Sequence, residues 1–164
     1  MAPNQVENSL QNAVDNNDYY AVKALLENGA DPNTIDSDEN CPFWDLQYPP
    51  DDLQDAGTRL GIAKLFLEHG ADPNLKCDLE SLYDSVMYDI FNDMSDPDWD
   101  YLLEFYKLLV AYGGGGHGYP RPVLSETIDK ARVDDYKIVF EQCEDGYHIQ
   151  GYIVDPEGKE IGTL

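Results

Sequence analysis

The amino-acid sequence predicts a mainly α-helical solenoid built from short repeated units, with a small antiparallel β cap at its C-terminal end. Three observations predict this fold class. One nine-residue string occurs twice in nearly the same form, apolar residues before each copy recur at helical spacing, and the C-terminal residues change to a two-residue alternation. The first two observations concern residues 1–132, and the third concerns residues 133–164.

The repeated string predicts a helix end followed by a turn. It reads Leu-Leu-Glu-Asn-Gly-Ala-Asp-Pro-Asn at residues 25–33 and Phe-Leu-Glu-His-Gly-Ala-Asp-Pro-Asn at residues 66–74, and a weaker third copy ends near Gly113. The glycine lies just past the last helical turn, where a left-handed backbone conformation commonly ends a helix. The following Asp-Pro-Asn takes the chain out of the helix.

Two helices are predicted for each repeated unit. The segment before each copy of the string is amphipathic, with apolar residues at helical spacing around Val22, Ile62 and Phe105. An upstream helix is opened by Ser or Pro and has small or apolar residues three or four positions later. That upstream pattern occurs at residues 9–14, 42–46, 81–86 and 122–128.

A helix pair followed by Gly-Ala-Asp-Pro-Asn resembles the ankyrin repeat. The resemblance covers about residues 6–131 and implies an ankyrin-type solenoid of three to four repeats. From Gly29 to Gly70 is 41 residues and from Gly70 to Gly113 is 43, whereas the family period is about 33. The extra residues are interpreted as two insertions between the helices of a repeat, the first at residues 48–57 and the second around residues 89–98. The predicted repeats are residues 6–40, 41–77, 78–119 and a partial 120–132.

The tail, residues 133–164, is predicted to be a two- or three-stranded meander within the same domain. Its apolar residues alternate with polar ones, and Glu-Asp-Gly at residues 144–146 is a hairpin signal. A terminal repeat needs its apolar flank covered, which is the role expected for these strands. The alternative is a fourth helix pair, because Asp135 to Gly146 spans the same length as Asp18 to Gly29.

The charge of the chain restricts its partners. Ten Lys and Arg residues face 33 Asp and Glu residues, for a formal net charge of −23. Such a field repels nucleic acids and anionic membranes and attracts basic proteins. The N-terminal residues lack a signal-peptide pattern, and no segment has the roughly 20 apolar residues of a membrane span. A cytoplasmic location, with reduced cysteines, is expected.

No motif for catalysis, metal or cofactor stands out. The glycines at 113–116 lack the Gly-Lys-Ser/Thr of a phosphate loop. A calcium loop beginning at Asp96 would place Tyr101 where glycine is needed and Lys107 where a bidentate Glu is needed. The three cysteines show no zinc-site spacing, and no cysteine or serine shares a motif with a histidine. No catalytic residue, metal or cofactor is predicted.

Acidic and aromatic residues predict a surface for a basic partner, through charge pairing and cation–π contact. Ankyrin proteins usually bind through their turn tips and inner helices, and that resemblance, with the two insertions, supplies the candidate positions. These are Asp36, Asp38, Glu39, Trp44, Asp45, Gln47, Tyr48, Asp51, Asp52, Asp55, Asp78, Glu80, Tyr83, Asp84, Tyr88, Asp89, Asp93 and Asp96.

The function expected from charge, size and resemblance is protein binding. Small acidic proteins with irregular ankyrin repeats resemble immunity proteins, so the leading hypothesis is a monomeric inhibitor that masks a basic toxin such as a nuclease. The alternative is a generic ankyrin scaffold or adaptor whose acidity serves solubility. An enzyme or a calcium-binding protein is the third hypothesis.

Overall fold

The structure is a computed structural model that describes residues 3–36, 38–77, 79–92, 98–115, 118 and 121–164, with side chains from Ser9 onward. Its α-helices are α1 (Pro3–Asp15), α2 (Tyr19–Glu27), α3 (Pro42–Asp45), α4 (Ala56–Glu68), α5 (Leu82–Asn92) and α6 (Trp99–Ala111), with 3₁₀ helices at Leu53–Asp55 and Lys130–Asp135. Its strands are β1 (Lys76–Cys77), β2 (Glu80–Ser81), β3 (Val123–Leu124), β4 (Lys137–Gln142), β5 (Ile149–Val154) and β6 (Glu160–Thr163).

The prediction of a mainly α repeat solenoid is wrong. The described residues form a mixed α/β fold, in which an N-terminal helical part is followed by a four-stranded antiparallel sheet of order β3-β6-β5-β4. The helical part has no regular repeat, because α3 has four residues where α1 and α4 have 13 each. One hydrophobic core joins both parts: Ile153 and Ile161 of the sheet belong to the same buried cluster as the helices.

The two similar turns are built as the sequence predicts, although they do not generate a repeat. Gly29, Gly70 and Gly113 all have left-handed backbone, with φ of 90°, 93° and 92°. The first two turns also contact each other. The Asn33 side chain donates to the Gly70 carbonyl (3.1 Å) and accepts from the Asp72 N–H (2.7 Å).

The short helix α3 is held in place by Phe43, one of its two aromatic residues. Phe43 is fully buried and stacks on Phe66 of α4, with ring centroids 5.6 Å apart. It also lies 6.4 Å from Phe105 of α6. Since a four-residue helix has almost no stability of its own, these tertiary contacts keep α3 in position.

The predicted helix at residues 122–128 is wrong, because Val123 and Leu124 form strand β3. Val123 pairs with Thr163, and Leu124 pairs with Gly162. A side chain at Gly162 would collide with Leu124, since an added Cβ would lie 2.3 Å from Leu124 Cδ2. The pairing therefore depends on a close approach between segments about 40 residues apart in sequence, which helical spacing does not reveal.

Strands in the tail are confirmed, and the alternative of a fourth helix pair is wrong. Strand β4 pairs antiparallel with β5, and β5 with β6. Ile138 and Phe140 face the helices, with the Phe140 ring 5.1 Å from that of Trp99, while Val139 between them is exposed. The sheet is therefore apolar on its helix side, whereas its other face combines polar residues with the exposed Val139.

Two buried cations connect elements that are distant in sequence. Arg59 of α4, only 8% exposed, donates to the carbonyls of Val14 (3.1 Å), Asp45 (2.8 Å) and Tyr48 (2.6 Å). Lys107 of α6 is 2% exposed and donates to the Tyr136 carbonyl at 2.7 Å, just before β4. Arg59 thus joins α1, α3 and the first insertion, whereas Lys107 joins the helices to the sheet.

Candidate functional site

Among the described residues, four carboxylates line an open cleft between α1, the loop after α2, and α3. Its volume is about 490 Å³, and it contains no Lys, Arg or apolar side chain. We call it the acidic cleft. It is lined by Gln11, Asn12, Asp15, Asp36, Asp38, Asn40 and Asp45.

One glutamine holds two of the carboxylates in place. The Gln11 side-chain amide donates to Asp15 Oδ1 and to Asp45 Oδ2, both at 2.8 Å. These two bonds determine the orientation of the amide, because the reversed orientation would place its oxygen against two carboxylates. The Gln11 Oε1 atom is consequently buried without a hydrogen-bond partner in the described part of the chain.

Hydrogen bonds among Asp36, Asp38 and Asn40 support the side of the cleft that carries the other two carboxylates. Asp36 accepts from the backbone N–H of Asp38 (2.8 Å) and of Asn40 (2.9 Å), and from the Asn40 side chain (2.8 Å). The backbone closes the same loop, with the Asp36 N–H donating to the Asn40 carbonyl at 3.0 Å. Glu39 takes the left-handed conformation needed there, with φ of 64°. The Asp36 carboxylate is therefore held at the cleft.

The two sides of the cleft differ in their electrostatics. Burial raises the pKa of Asp45, and the nearby charges of Asp15 and Asp36 raise it further, against the Gln11 hydrogen bond and Arg59. Hydrogen bonds from Asn40 lower the pKa of Asp36 below its ordinary value. Asp45 is thus a partly desolvated carboxylate among other negative groups, which a cation entering the cleft would stabilise.

Several residues predicted to contact a partner lie instead in the core. Tyr83 is fully buried, with its hydroxyl 3.1 Å from that of Tyr106, and Gln47 is fully buried near Ser85. Asp84 is 8% exposed and accepts from the Ser81 hydroxyl at 2.7 Å. Trp44 is half-buried against the core. These four side chains offer little or no surface to a partner in this structure.

The remaining predicted residues divide between the cleft and scattered surface positions. Asp36, Asp38 and Asp45 come together, with Glu39 beside them on the same loop. Asp89 is half-buried on α5. Asp78, Asp93 and Asp96 lie outside the described residues. The exposed residues that do not line the cleft are Tyr48, Asp51, Asp52, Asp55, Glu80 and Tyr88.

Sequence reasoning missed the α1 side of the cleft. Gln11 and Asp15 are four positions apart, which places them on one helix face, and Asn12 adjoins them. That spacing was a usable signal for a polar face. It does not show that the face lies opposite the Asp36 loop, because that depends on how α1 packs on α3.

No group of three or more His, Cys, Asp or Glu side chains among the described residues is arranged to hold a metal ion. Burial raises the pKa of the Cys41 thiol to about 12, so it is a protonated, poor nucleophile near neutral pH. The helices of the described ranges include none with the length and apolarity to cross a membrane.

We expect Asp45→Asn to raise the melting temperature at pH 7. A raised pKa in the folded protein means that ionised Asp45 destabilises the fold above that pKa. This penalty disappears as the pH falls through the folded pKa to the unfolded value, so the gain from the substitution should shrink over the same window. Thermal unfolding from pH 7 down to pH 3 measures this.

Asp51→Asn is the control for that experiment, since it removes the same charge from an exposed loop position. Relief of general repulsion would raise the stability of both variants alike. An equal gain in both, or a gain for Asp45→Asn that does not change with pH, would contradict the assignment of a local penalty to Asp45.

Comparison with known proteins does not assign the chain to a family. No protein-family model matches the chain, and no curated protein or solved structure matches it either. The likeness to ankyrin repeats therefore rests on the sequence of the turns, and the functional argument rests on the geometry and charge of the acidic cleft.

Proposed function

We propose that this chain is a protein-binding module whose acidic cleft receives Lys or Arg side chains of a basic partner. The observation that carries the proposal is the convergence of Asp15, Asp36, Asp38 and Asp45 on one cleft without a compensating cation in its lining. Gln11 orients Asp15 and Asp45, and hydrogen-bond donors of neighbouring residues orient Asp36, before any partner arrives. Pre-positioned groups reduce the ordering cost of binding.

The chemistry of the cleft favours a cation over other ligands. A Lys or Arg side chain would supply the donors that the carboxylates accept, and would offset the mutual repulsion of Asp15 and Asp45. The net charge of −23 adds long-range attraction that accelerates encounter with a basic protein. The same charge disfavours nucleic acids as ligands.

Within this class we propose an inhibitor of the immunity-protein kind, which masks a basic toxin such as a nuclease. A nuclease needs a positive cleft for its substrate, and a rigid acidic surface is the complement of such a cleft. A scaffold or adaptor is the competing proposal, with acidity serving solubility. Loss of a partner's enzymatic activity on stoichiometric binding favours the inhibitor, and unchanged activity favours the adaptor.

The test is carbodiimide cross-linking, which joins carboxylates to lysines, followed by capture from native lysate. We expect a partner with a pI above about 9, cross-linked through Asp15 or Asp38, and a strong decrease in affinity with rising salt. The double variant Asp15→Asn/Asp38→Asn should weaken that partner's binding at least tenfold in calorimetry, which is about 1.4 kcal/mol.

The control variant is Asp51→Asn/Asp55→Asn, which removes two charges from the exposed first insertion. It should change the affinity less than twofold. The proposal fails if both variants lose affinity equally, because the attraction would then be general, or if the captured partners are neutral or acidic.

A further inference from the structure

The outer edge of the sheet carries a groove that shares no lining residue with the acidic cleft. Strand β4 is at the end of the strand order β3-β6-β5-β4, so among the described residues one of its sides has no neighbouring strand. A groove of about 380 Å³ runs between this side and α6. We call it the β4 groove. It is lined by Asp100, Leu103, Glu104 and Lys107 of α6, Asp134 and Tyr136, and residues 137–139.

The hydrogen-bond alternation of the strand determines which backbone groups face the groove side. The Cys143 N–H donates to the His148 carbonyl at 2.8 Å, and this pair continues the register of β4 with β5. By the two-residue alternation, Val139 also turns its backbone toward β5, whereas Ile138 and Phe140 turn theirs outward. The carbonyl of Gly151, the β5 residue opposite Phe140, accepts from the Leu164 N–H on the side of β5 that faces away from β4. Gly151 and Phe140 therefore do not bond to each other, which again leaves the backbone groups of Phe140 pointing outward.

These outward groups form an open hydrogen-bonding edge. Within the described ranges, no backbone partner from a turn or loop is found for the N–H of Ile138 or of Phe140. An added strand would exchange backbone hydrogen bonds with both residues. Its side chains opposite Ile138 and Phe140 would point to the α6 side, and the one opposite Val139 would point to the exposed face.

The charge on the α6 side of the groove indicates which kind of ligand the groove would favour. Glu104 is paired with Lys107 at 2.7 Å, whereas no ion pair to Asp100 or Asp134 is found in the described part of the chain. Lys137 also lines the groove, but its side chain alternates with that of inward Ile138 and so belongs to the other face of the strand. The α6 side is thus negative around an apolar floor that includes Leu103.

We propose that the β4 groove binds an extended segment of a partner protein in which basic and apolar residues alternate. Its backbone pairs with Ile138 and Phe140. Its Lys or Arg side chains lie along Leu103 and reach Asp100 and Asp134, while an apolar side chain covers Val139, which is 39% exposed. A second copy of this chain fits poorly, since its β4 would bring Ile138 and Phe140 and a further net charge of −23 to the same side.

The probe is a capped heptapeptide of alternating valine and lysine. Its matched control carries N-methyl groups on the three lysine amides, which preserves side chains and charge but removes the donors of the added strand. We expect the parent peptide to bind at least tenfold more tightly than the methylated one. Hydrogen exchange should show slowed exchange at the amides of Ile138 and Phe140 with the parent peptide alone.

Charge-removing variants test which carboxylates attract the peptide. Asp100→Asn/Asp134→Asn should weaken parent-peptide binding about fivefold or more at low salt, while Asp51→Asn/Asp55→Asn and the cleft variant Asp15→Asn/Asp38→Asn should change it less than twofold. The proposal is overturned by absence of binding, by equal affinity of the two peptides, or by protection elsewhere than β4. It is also overturned if sedimentation shows a dimer of the free chain that occupies this edge.

Discussion

Replacing Arg59 with Met is expected to destabilise the protein by about 3–5 kcal/mol. The guanidinium donates to the carbonyls of Val14, Asp45 and Tyr48, and hydrogen bonds from charged donors are worth about 1.5–3 kcal/mol each, without full additivity. Methionine preserves the apolar stem and leaves all three acceptors without this donor. Urea unfolding monitored by far-ultraviolet circular dichroism measures the loss, which should also lower Tm by roughly 10 °C or more.

Two further variants separate hydrogen bonding from charge. Arg59→Lys retains the cation but replaces a planar five-donor group with a point charge, so an intermediate loss of about 2 kcal/mol is expected. Arg132→Met makes the same change of net charge at a side chain that is 48% exposed and paired only at the surface, so a much smaller loss of stability is expected. Equal losses for Arg59→Met and Arg132→Met would contradict a structural role for the buried guanidinium.

Replacing Phe43 with Ala should cost about 3–5 kcal/mol, a loss of similar size. Phe43 is fully buried, stacks on Phe66 and contacts Phe105, so its removal opens a cavity where α3, α4 and α6 meet. Phe43 is the largest fully buried side chain of α3, whose other core contacts come from Pro42 and half-buried Trp44. We therefore expect α3 to loosen first, which native-state hydrogen exchange of its amides would show.

The position of Asp45 makes this a functional prediction as well. Asp45 is on α3, two residues after Phe43, so the Phe43→Ala variant should bind a basic partner less tightly even when folded. Phe43→Leu, which retains most of the buried volume, should cost about 1–2 kcal/mol and preserve binding. Tyr48→Ala removes an aromatic ring that is 54% exposed and should change stability by at most about 0.5 kcal/mol. If Tyr48→Ala lost as much stability as Phe43→Ala, α3 would not be anchored through Phe43.

Local structure was largely readable from the sequence. The left-handed conformations of Gly29 and Gly70, the helix ends before them and the alternating strands β4 and β5 all follow from residue types over short spans. Such features depend on backbone conformation and on the spacing of apolar residues, which short segments carry by themselves.

The repeat architecture was the main error, and its cause is instructive. Two nearly identical turns imply similar units. The helices that end at these turns nevertheless differ in length, with nine residues in α2 and 13 in α4. Strand β3 shows the same limit, since Val123 and Leu124 read as a helix start until Gly162 of β6 is brought beside them. Pairing between distant segments overrides local propensity.

The acidic cleft was likewise predicted only in part from the sequence. Its negative charge was evident from composition, and Asp36, Asp38 and Asp45 were among the residues named. Tyr83, Gln47 and Asp84 were named for the same reasons and are buried, because polar and aromatic residue types do not reveal which face of a helix meets the core. Asp15 and Gln11 enter the site only through the packing of α1 beside α3.

The sequence by itself determined the acidity of this protein, its turns, its amphipathic helices and its C-terminal strands, since each of these depends on composition or on neighbouring residues. Only the tertiary structure decided that the sheet shares the core of the helices, that Arg59 and Lys107 are internal cations, and that four carboxylates meet in one cleft. Those features depend on contacts between residues 11 to 45 positions apart, which no local pattern encodes.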